Sequence, residues 1–393
     1  MMNFTKLMLV IITASAFMSS CKLSDSQKEE DSIAVMAYYV APGKDYHPDQ
    51  LPLDKLSHII YSFTEVIDDQ MKFKNPKEHD KLQLLVDQKA NHPNLKVMIA
   101  CGGWGGSGGF SDMASSDSTR QLFVNSAINF IQEHNLDGLD IDWEYPGLRG
   151  AGNPHKPEDK QNFTALMKEL REAMDATGKK LTLTFASAGW DRYYDHVELH
   201  EVLKYADYMN VMTYDQVSGT SPVTLHHTNL GWVKWDDVKD TPAGKKMEQY
   251  GMKRDPGSAE KIIDYCLKKG VDPKQLVIGA AFYGRAWKGV PPENNGLYQP
   301  NKGVWSGWAA YNIIRDKYEG KNGFNRHWDP IAKAPFLYNP ADSIFISYDD
   351  TMSVRLKTKF TKDLNLGGIM FWQLRLDTAN DGLLDAIYRE SKK

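Results

Sequence analysis

The sequence predicts an α/β fold, a (β/α)8 TIM barrel with a small α+β insertion between its seventh and eighth strands. Three observations predict it. Eight strand-like runs recur along the chain, at 33–39, 58–66, 96–101, 136–144, 181–187, 208–214, 276–283 and 367–372. Helical periodicity fills several of the gaps, at 80–90, 118–134, 157–176, 259–269 and 379–389. Most of the strand runs are continuously apolar, as strands covered on both faces must be. One segment breaks the rhythm. Residues from about 286 to 347 are rich in Gly, Pro and Trp, with a helical stretch near 308–318, and read as the insertion subdomain.

The chain has 393 residues, 41% of them hydrophobic and 25% charged, a globular composition that one large barrel with an insertion accounts for. Its net charge is -4 and no block of Lys and Arg occurs, which argues against a nucleic-acid partner. Aromatics reach 11%, with 10 Trp and 19 Tyr, a surplus that suits a surface stacking on sugar rings as well as a core.

The first residues have a separate logic. Lys6 precedes an apolar run from Leu7 to Met18, and Ser19, Ser20 and Cys21 follow. That order marks an export signal over 1–20, in a run too short to span a bilayer as a permanent helix. Cys21 sits where a bacterial lipoprotein carries its lipidated residue, and polar residues 21–32 read as the lipidated Cys and a flexible tether. The expected domain from 33 to 393 is then a monomer held by lipid at the outer membrane, on its periplasmic side or at the cell surface. Cys101 ends a strand run and Cys266 lies in an amphipathic helix, so two buried free thiols are expected.

Chemistry concentrates in residues 137–147, Asp-Gly-Leu-Asp-Ile-Asp-Trp-Glu-Tyr-Pro-Gly. Asp140, Asp142 and Glu144 alternate with Leu139, Ile141 and Trp143, so an extended strand lines the three acids up on one face. Crowded carboxylates repel, and at least one must hold its proton more tightly than usual. Glu144 stands nearest the carboxyl end of the strand, where a barrel presents its reactive groups. The deeper acids are expected to push it towards a protonated form able to act as a general acid. A site for a hard cation and a purely structural acid cluster are the competing readings; neither a metal nor a cofactor is expected. Asp137 reads as an anchor for the start of the strand, and His226 and His227 as solvent-facing or cleft-rim residues.

This run resembles the signature of glycoside hydrolase family 18, the chitinase family. Further stretches resemble the family's other strands: Ala37-Tyr38-Tyr39, His58 to Phe63, and Cys101-Gly102-Gly103-Trp104, where Cys stands for the usual Ser. So do Met209 to Asp215, Phe282-Tyr283-Gly284-Arg285 and Gly367 to Trp372. The resemblance implies hydrolysis of β-1,4 linkages in chitin and chito-oligosaccharides by a retaining, substrate-assisted route, an exception among two-carboxylate glycosidases. It implies Glu144 as proton donor, Asp142 as the group that holds the acetamido N–H, Asp140 as its support, and Tyr214 at the acetamide. Trp372 would floor the reacting sugar beside Tyr38 and Phe63, with Gly103, Trp104, Met212, Asp215, Tyr283 and Arg285 lining the cleft. Two alternatives share the scaffold: an endo-β-N-acetylglucosaminidase acting on N-glycans, and a chitin-binding lectin, a class that has typically lost the acid which Glu144 supplies here.

Overall fold

Side-chain alternation along eight parallel strands sets the layers of the molecule, a computed structural model that describes residues 33–307 and 309–393. The strands are β1 (Ala34–Tyr39), β2 (His58–Ile67), β3 (Gln70–Lys72), β4 (Lys96–Gly102), β5 (Gly138–Asp142), β6 (Thr182–Ala188), β7 (Tyr208–Met212) and β8 (Leu276–Ala281), then β9 (Arg285–Lys288), β10 (Asn325–Asp329), β11 (Ala334–Asn339), β12 (Ile344–Ser347) and β13 (Gly368–Trp372). Their order β1-β13-β8-β7-β6-β5-β4-β2 closes on itself through the β1–β2 pairing, which makes an eight-stranded parallel barrel; β3 only extends β2 as a hairpin. The expected (β/α)8 barrel is therefore the fold.

Alternate residues of each strand serve different cores. Ala34, Met36, Tyr38, Met98, Ala100, Val277 and Met370 fill the barrel interior. Their sequence neighbours Val35, Ala37, Val97, Ile99, Ile278 and Ile369 join the larger core under the surrounding helices. These helices include Glu78–Asp87, Asp117–Glu133, Asp159–Ala176, Ala259–Lys268 and Leu383–Ser391, each turning an apolar stripe onto the sheet. Cys101 and Cys266 are buried free thiols.

Between β8 and β13 the chain builds an antiparallel sheet in the order β10-β11-β12-β9. Its helical piece is short, Tyr311–Ile313 running into a wider turn over Ile314–Tyr318. The stretch after β7 does not lead straight to a helix. It makes an excursion through two short helices, Trp235–Val238 and Pro242–Gln249. Val217, Val223, Leu225, Val238 and Met247 of that excursion share a third apolar cluster with Trp287, Phe336, Tyr338 and Phe345 of the antiparallel sheet. Two excursions from different barrel strands thus wall one side of the barrel mouth together.

The helix Thr351–Asp363 has no counterpart in the apolar periodicity. Its buried residues are Ser353, Val354, Lys357, Thr358 and Thr361, mostly polar, so no hydrophobic stripe marks it. Lys357 is fully buried, with Nζ 2.6 Å from Asp349 Oδ2 and 2.7 Å from Thr228 Oγ1. Asp350 caps the helix by accepting from Met352 and Ser353 N–H groups, a capping box that was the available signal.

Residues 1–32, with the expected export signal, Cys21 and the tether, lie outside the described residues, as does Trp308. Among the described residues no helix is long and apolar enough to cross a membrane.

Candidate active site

The pleat of β5 fixes the centre of the site. Leu139, Ile141 and Trp143 enter the core beneath the helices, so Asp140, Asp142 and Glu144 face the barrel axis, all three buried. Strand pairing ends at Asp142, yet the alternation continues for two residues and brings Glu144 to the mouth. Asp137 starts the strand as expected, accepting from the Val97 N–H at 2.8 Å and pairing with Lys89 at 2.7 Å.

Asp140, deepest of the column, is well supplied with donors. Register sets Thr184 of β6 opposite it, and Thr184 Oγ1 donates at 2.5 Å, Tyr38 Oη at 2.9 Å and Asn210 Nδ2 at 3.2 Å. Burial pushes its pKa up to about 6 against these three donors. Asp142 has no such help: among the described residues its buried Oδ1 has no hydrogen-bond partner. Burial, then the charges of Glu144 and Asp140, hold its pKa well above the ordinary carboxylate range. Glu144 is pushed up to about 7, by burial first, with Tyr145 opposing and Asp215 adding to the rise. Desolvation thus leads at Glu144, and the deeper acid Asp142 and Glu144 repel each other as their charges form. Asp142 and Glu144 titrate as a linked pair.

Neighbouring backbones are pressed close to this column. Gly102 has φ 114°, and a Cβ there would lie 2.1 Å from the Asp142 carbonyl oxygen. At Gly103, with φ 82°, a Cβ would lie 2.8 Å from the Phe63 ring. Side chains at either position would force β4 or Phe63 out of place. Ser107, which sequence reasoning missed, receives the Glu144 N–H on Oγ at 2.9 Å and lies 2.8 Å from the Gly103 carbonyl. Asn153 Nδ2 donates to the Glu144 carbonyl at 3.1 Å and the Trp104 carbonyl at 3.2 Å. The glycine-rich run from Gly102 to Gly109 was the only hint of such tight packing.

A cleft of about 1330 Å³ opens above the acids, and every predicted catalytic or sugar-binding residue except Asp140 lines it. Trp372 stands at the end of β13, with Phe63 stacked on it at 5.4 Å and 19° and Tyr38 at 6.0 Å. Tyr214 is buried, its hydroxyl 3.8 Å from the Met370 sulfur, and Gly279 leaves room for its ring. Met212, half-buried, forms wall. Trp104 is 57% exposed, so its indole face is free for a ligand. Arg285 bonds both oxygens of Asp215 at 2.7 Å and lies 5.4 Å above Tyr283. Burial would raise the pKa of Asp215, but His227 and Arg285 hold it well below the usual carboxylate range. Glu65, Trp190 and Trp305 also line the cleft without having been singled out.

The two histidines are corrected. His226 and His227 are buried. His226 Nε2 lies 3.2 Å from Asp329 Oδ2, and His227 sits against Asp215 and Tyr283. The loop carrying them is covered by the sheet β9–β12, which sequence alone did not place. Among the described residues no group of His, Cys, Asp and Glu is arranged to hold a metal ion.

Comparison with known families matches residues 34–377 to glycosyl hydrolases family 18. The chain belongs to this family. Chitinase A1 of Niallia circulans is 38% identical over 300 residues, 74% of this chain, which spans 42% of that protein's length. Chitinase B of Serratia marcescens is 28% identical over 390 residues, covering 85% of this chain and 76% of that protein. Among solved structures, a family 18 N-acetylglucosaminidase from Paenibacillus barengoltzii superposes with TM-score 0.79 at 36% identity, over 91% of this chain and 99% of that one. A chitinase from Bacillus thuringiensis superposes with TM-score 0.81 at 30% identity, over 92% and 70%.

The family 18 acid column has a consequence for stability. A carboxyl whose folded pKa is raised favours folding below its unfolded pKa of about 3.9, and that contribution is lost as pH rises through the folded value. Asp142→Asn cannot ionise, so it should raise the thermal midpoint at pH 7.5 by roughly 1–3 °C. The gain should vanish at pH 3.5, as read by calorimetry at both pH values. An equal or larger gain at pH 3.5 would show that ionisation of Asp142 is not the cost.

Proposed function

We propose that this glycoside hydrolase is a chitinase, cleaving β-1,4 bonds between N-acetylglucosamine units with retention and with the substrate's acetamido group as nucleophile. The observation that carries the reading is the unpartnered, buried Oδ1 of Asp142 beside a Glu144 whose pKa is pushed up to about 7. A buried carboxyl whose charged form is disfavoured by desolvation and by neighbouring charges, as at Asp142, makes a poor nucleophile. It makes a good partner for an amide, accepting the acetamido N–H as positive charge grows on the ring.

Glu144 gives its proton to the glycosidic oxygen as the C1–O bond breaks. The acetamido carbonyl oxygen attacks C1 from the opposite face and forms an oxazolinium ion, with Asp142 holding the nitrogen. Glu144, now a carboxylate, takes a proton from the water that reopens the ring at C1. Retention follows from two inversions. Holding the acetamide against C1 supplies the proximity such an internal nucleophile needs, and Tyr214, Met212 and Trp372 are the walls available to hold it. The chitinases and the N-acetylglucosaminidase among the relatives support this substrate class. Ala286, Val304 and Trp305, from the chain between β8 and β13, narrow the cleft on one side. That wall favours a linear oligosaccharide over a branched N-glycan.

Glu144→Gln should keep chitohexaose binding and lose about 10³-fold or more in kcat. Product from the parent should emerge as the β-anomer in a rapid proton NMR spectrum. Turnover by the variant at the parent's rate, or α-anomer released first, would contradict the reading.

We also propose export and lipid anchoring at Cys21, supported by the Lys6, Leu7–Met18 and Cys21 pattern. Expressed from the full sequence, Cys21→Ser should move the enzyme from the membrane fraction to the soluble one. An unchanged distribution would count against the anchor.

A further inference from the structure

His227 touches three of the chain segments that build the cleft. Its carbonyl accepts the Gln216 N–H at 3.0 Å, one residue beyond Asp215, whose φ of 52° turns the chain sharply there. Its own N–H is received by Ser347 Oγ of β12 at 2.9 Å. Its ring Nε2 lies 3.2 Å from the Tyr283 carbonyl oxygen, and its Nδ1 lies 3.5 Å from Asp215 Oδ1. The next residue, Thr228, is fixed by the buried Lys357 and Asp349, and Asp349 Oδ2 also accepts the Ala281 N–H at 3.0 Å where β8 ends. The histidine therefore has a rigid seat, fully buried, and no contact with bulk solvent explains it.

The chemistry of the neighbours fixes the ring's role. A carbonyl oxygen only accepts, so the contact with Tyr283 requires the hydrogen on Nε2. Among the described residues Nδ1 has no hydrogen-bond partner within ordinary reach, and it faces the Asp215 carboxylate at 3.5 Å. The charged and titratable groups around the ring are Asp215, Arg285, Asp349 and Tyr283. Burial lowers the imidazole's pKa and Asp215 opposes that fall, so near neutral pH the ring is uncharged and donates to Tyr283.

We propose that His227 is a positioning residue for the reaction: its imidazole donates to the Tyr283 carbonyl while its own backbone carbonyl holds the Gln216 N–H, so the residue ties the Tyr283 segment to the Asp215 turn and keeps the Asp215–Arg285 pair in place in the cleft it shares with Glu144. The assignment rests on the reading of Glu144 as general acid. It extends that reading by placing the control of the acid's surroundings in a residue that does not line the cleft. Burial raises the pKa of Glu144 first, and the charge of Asp215 adds to that rise. A looser Asp215 raises it less, and the alkaline limit of activity then moves to lower pH.

Substituting the side chain leaves the two backbone bonds of His227 in place and removes only the ring contacts. His227→Ala should lower kcat/KM on chitotetraose at least tenfold and move the alkaline limb of the pH profile at least half a unit downward. His227→Gln, whose amide N–H reaches towards the Tyr283 carbonyl, should recover most of the loss. A folded His227→Ala variant with kcat/KM within twofold of the parent and an unmoved limb would overturn the proposal. So would a loss in both variants with the limb unmoved, which marks a merely structural role. If the alanine variant does not fold, nitrogen-15 spectra of the parent's histidines, assigned with His227→Gln, decide. An Nε2-protonated ring at pH 7 supports the role and an Nδ1-protonated ring refutes it. A parent without activity on chitotetraose, or a Glu144→Gln variant that turns over normally, would instead sink the underlying chitinase reading.

Discussion

Three carboxyl groups on one face of one buried strand are the constraint around which the rest of this barrel is arranged. Same-face neighbours on a strand stand about 6.7 Å apart. At that distance two full charges repel by roughly 2.5 kcal/mol at an effective dielectric of about 20. Hydrogen bonds to a charged group return about 1.5–3 kcal/mol each. Asp140 has three such donors and can stay ionised near neutral pH. Asp142 has none at its buried Oδ1, so the column keeps a proton in its upper part. The distribution of donors, more than the count of acids, decides where that proton resides.

The surrounding architecture serves the same end. Tyr38, Thr184 and Asn210 come from β1, β6 and β7 to meet one carboxylate, which only a closed barrel allows. Ser107 and Asn153 hold the backbone of Glu144 on both sides. Glycines at 102 and 103 let β4 and Phe63 approach to distances no larger residue permits. On the far side, Asp215 and Arg285 neutralise each other while Asp215 still bears on Glu144. The site is polar, buried and crowded. Such an arrangement destabilises the folded chain locally, and the extensive apolar layers between strands and helices offset it.

The barrel was legible because its strands are continuous apolar runs and its main helices carry apolar stripes. The acid column was legible because strand alternation has period two, so one run of eleven residues displays a whole face. Other parts escaped for physical reasons. The helix Thr351–Asp363 buries Ser, Thr and Lys rather than Leu or Ile, so it lacks the stripe that periodicity detects. His227 and Ser107 act through partners distant in sequence, Tyr283, Ser347 and Glu144, and no local pattern encodes those contacts. The excursion after β7 packs on the sheet between β8 and β13, so neither segment makes sense without the other. The driving cause of the Glu144 shift was also hidden, because burial of a single side chain is a property of the closed cleft.

The account stands on Glu144 keeping its proton in the free protein at mildly acidic pH. The direct measurement is the carboxyl stretching band by infrared difference spectroscopy, taken between the parent and Glu144→Gln across pH 4 to 9. A protonated-carboxyl band assigned to residue 144 that persists at pH 6 and disappears with a midpoint near 7 is the predicted result. A band already replaced by carboxylate at pH 5 would contradict the account.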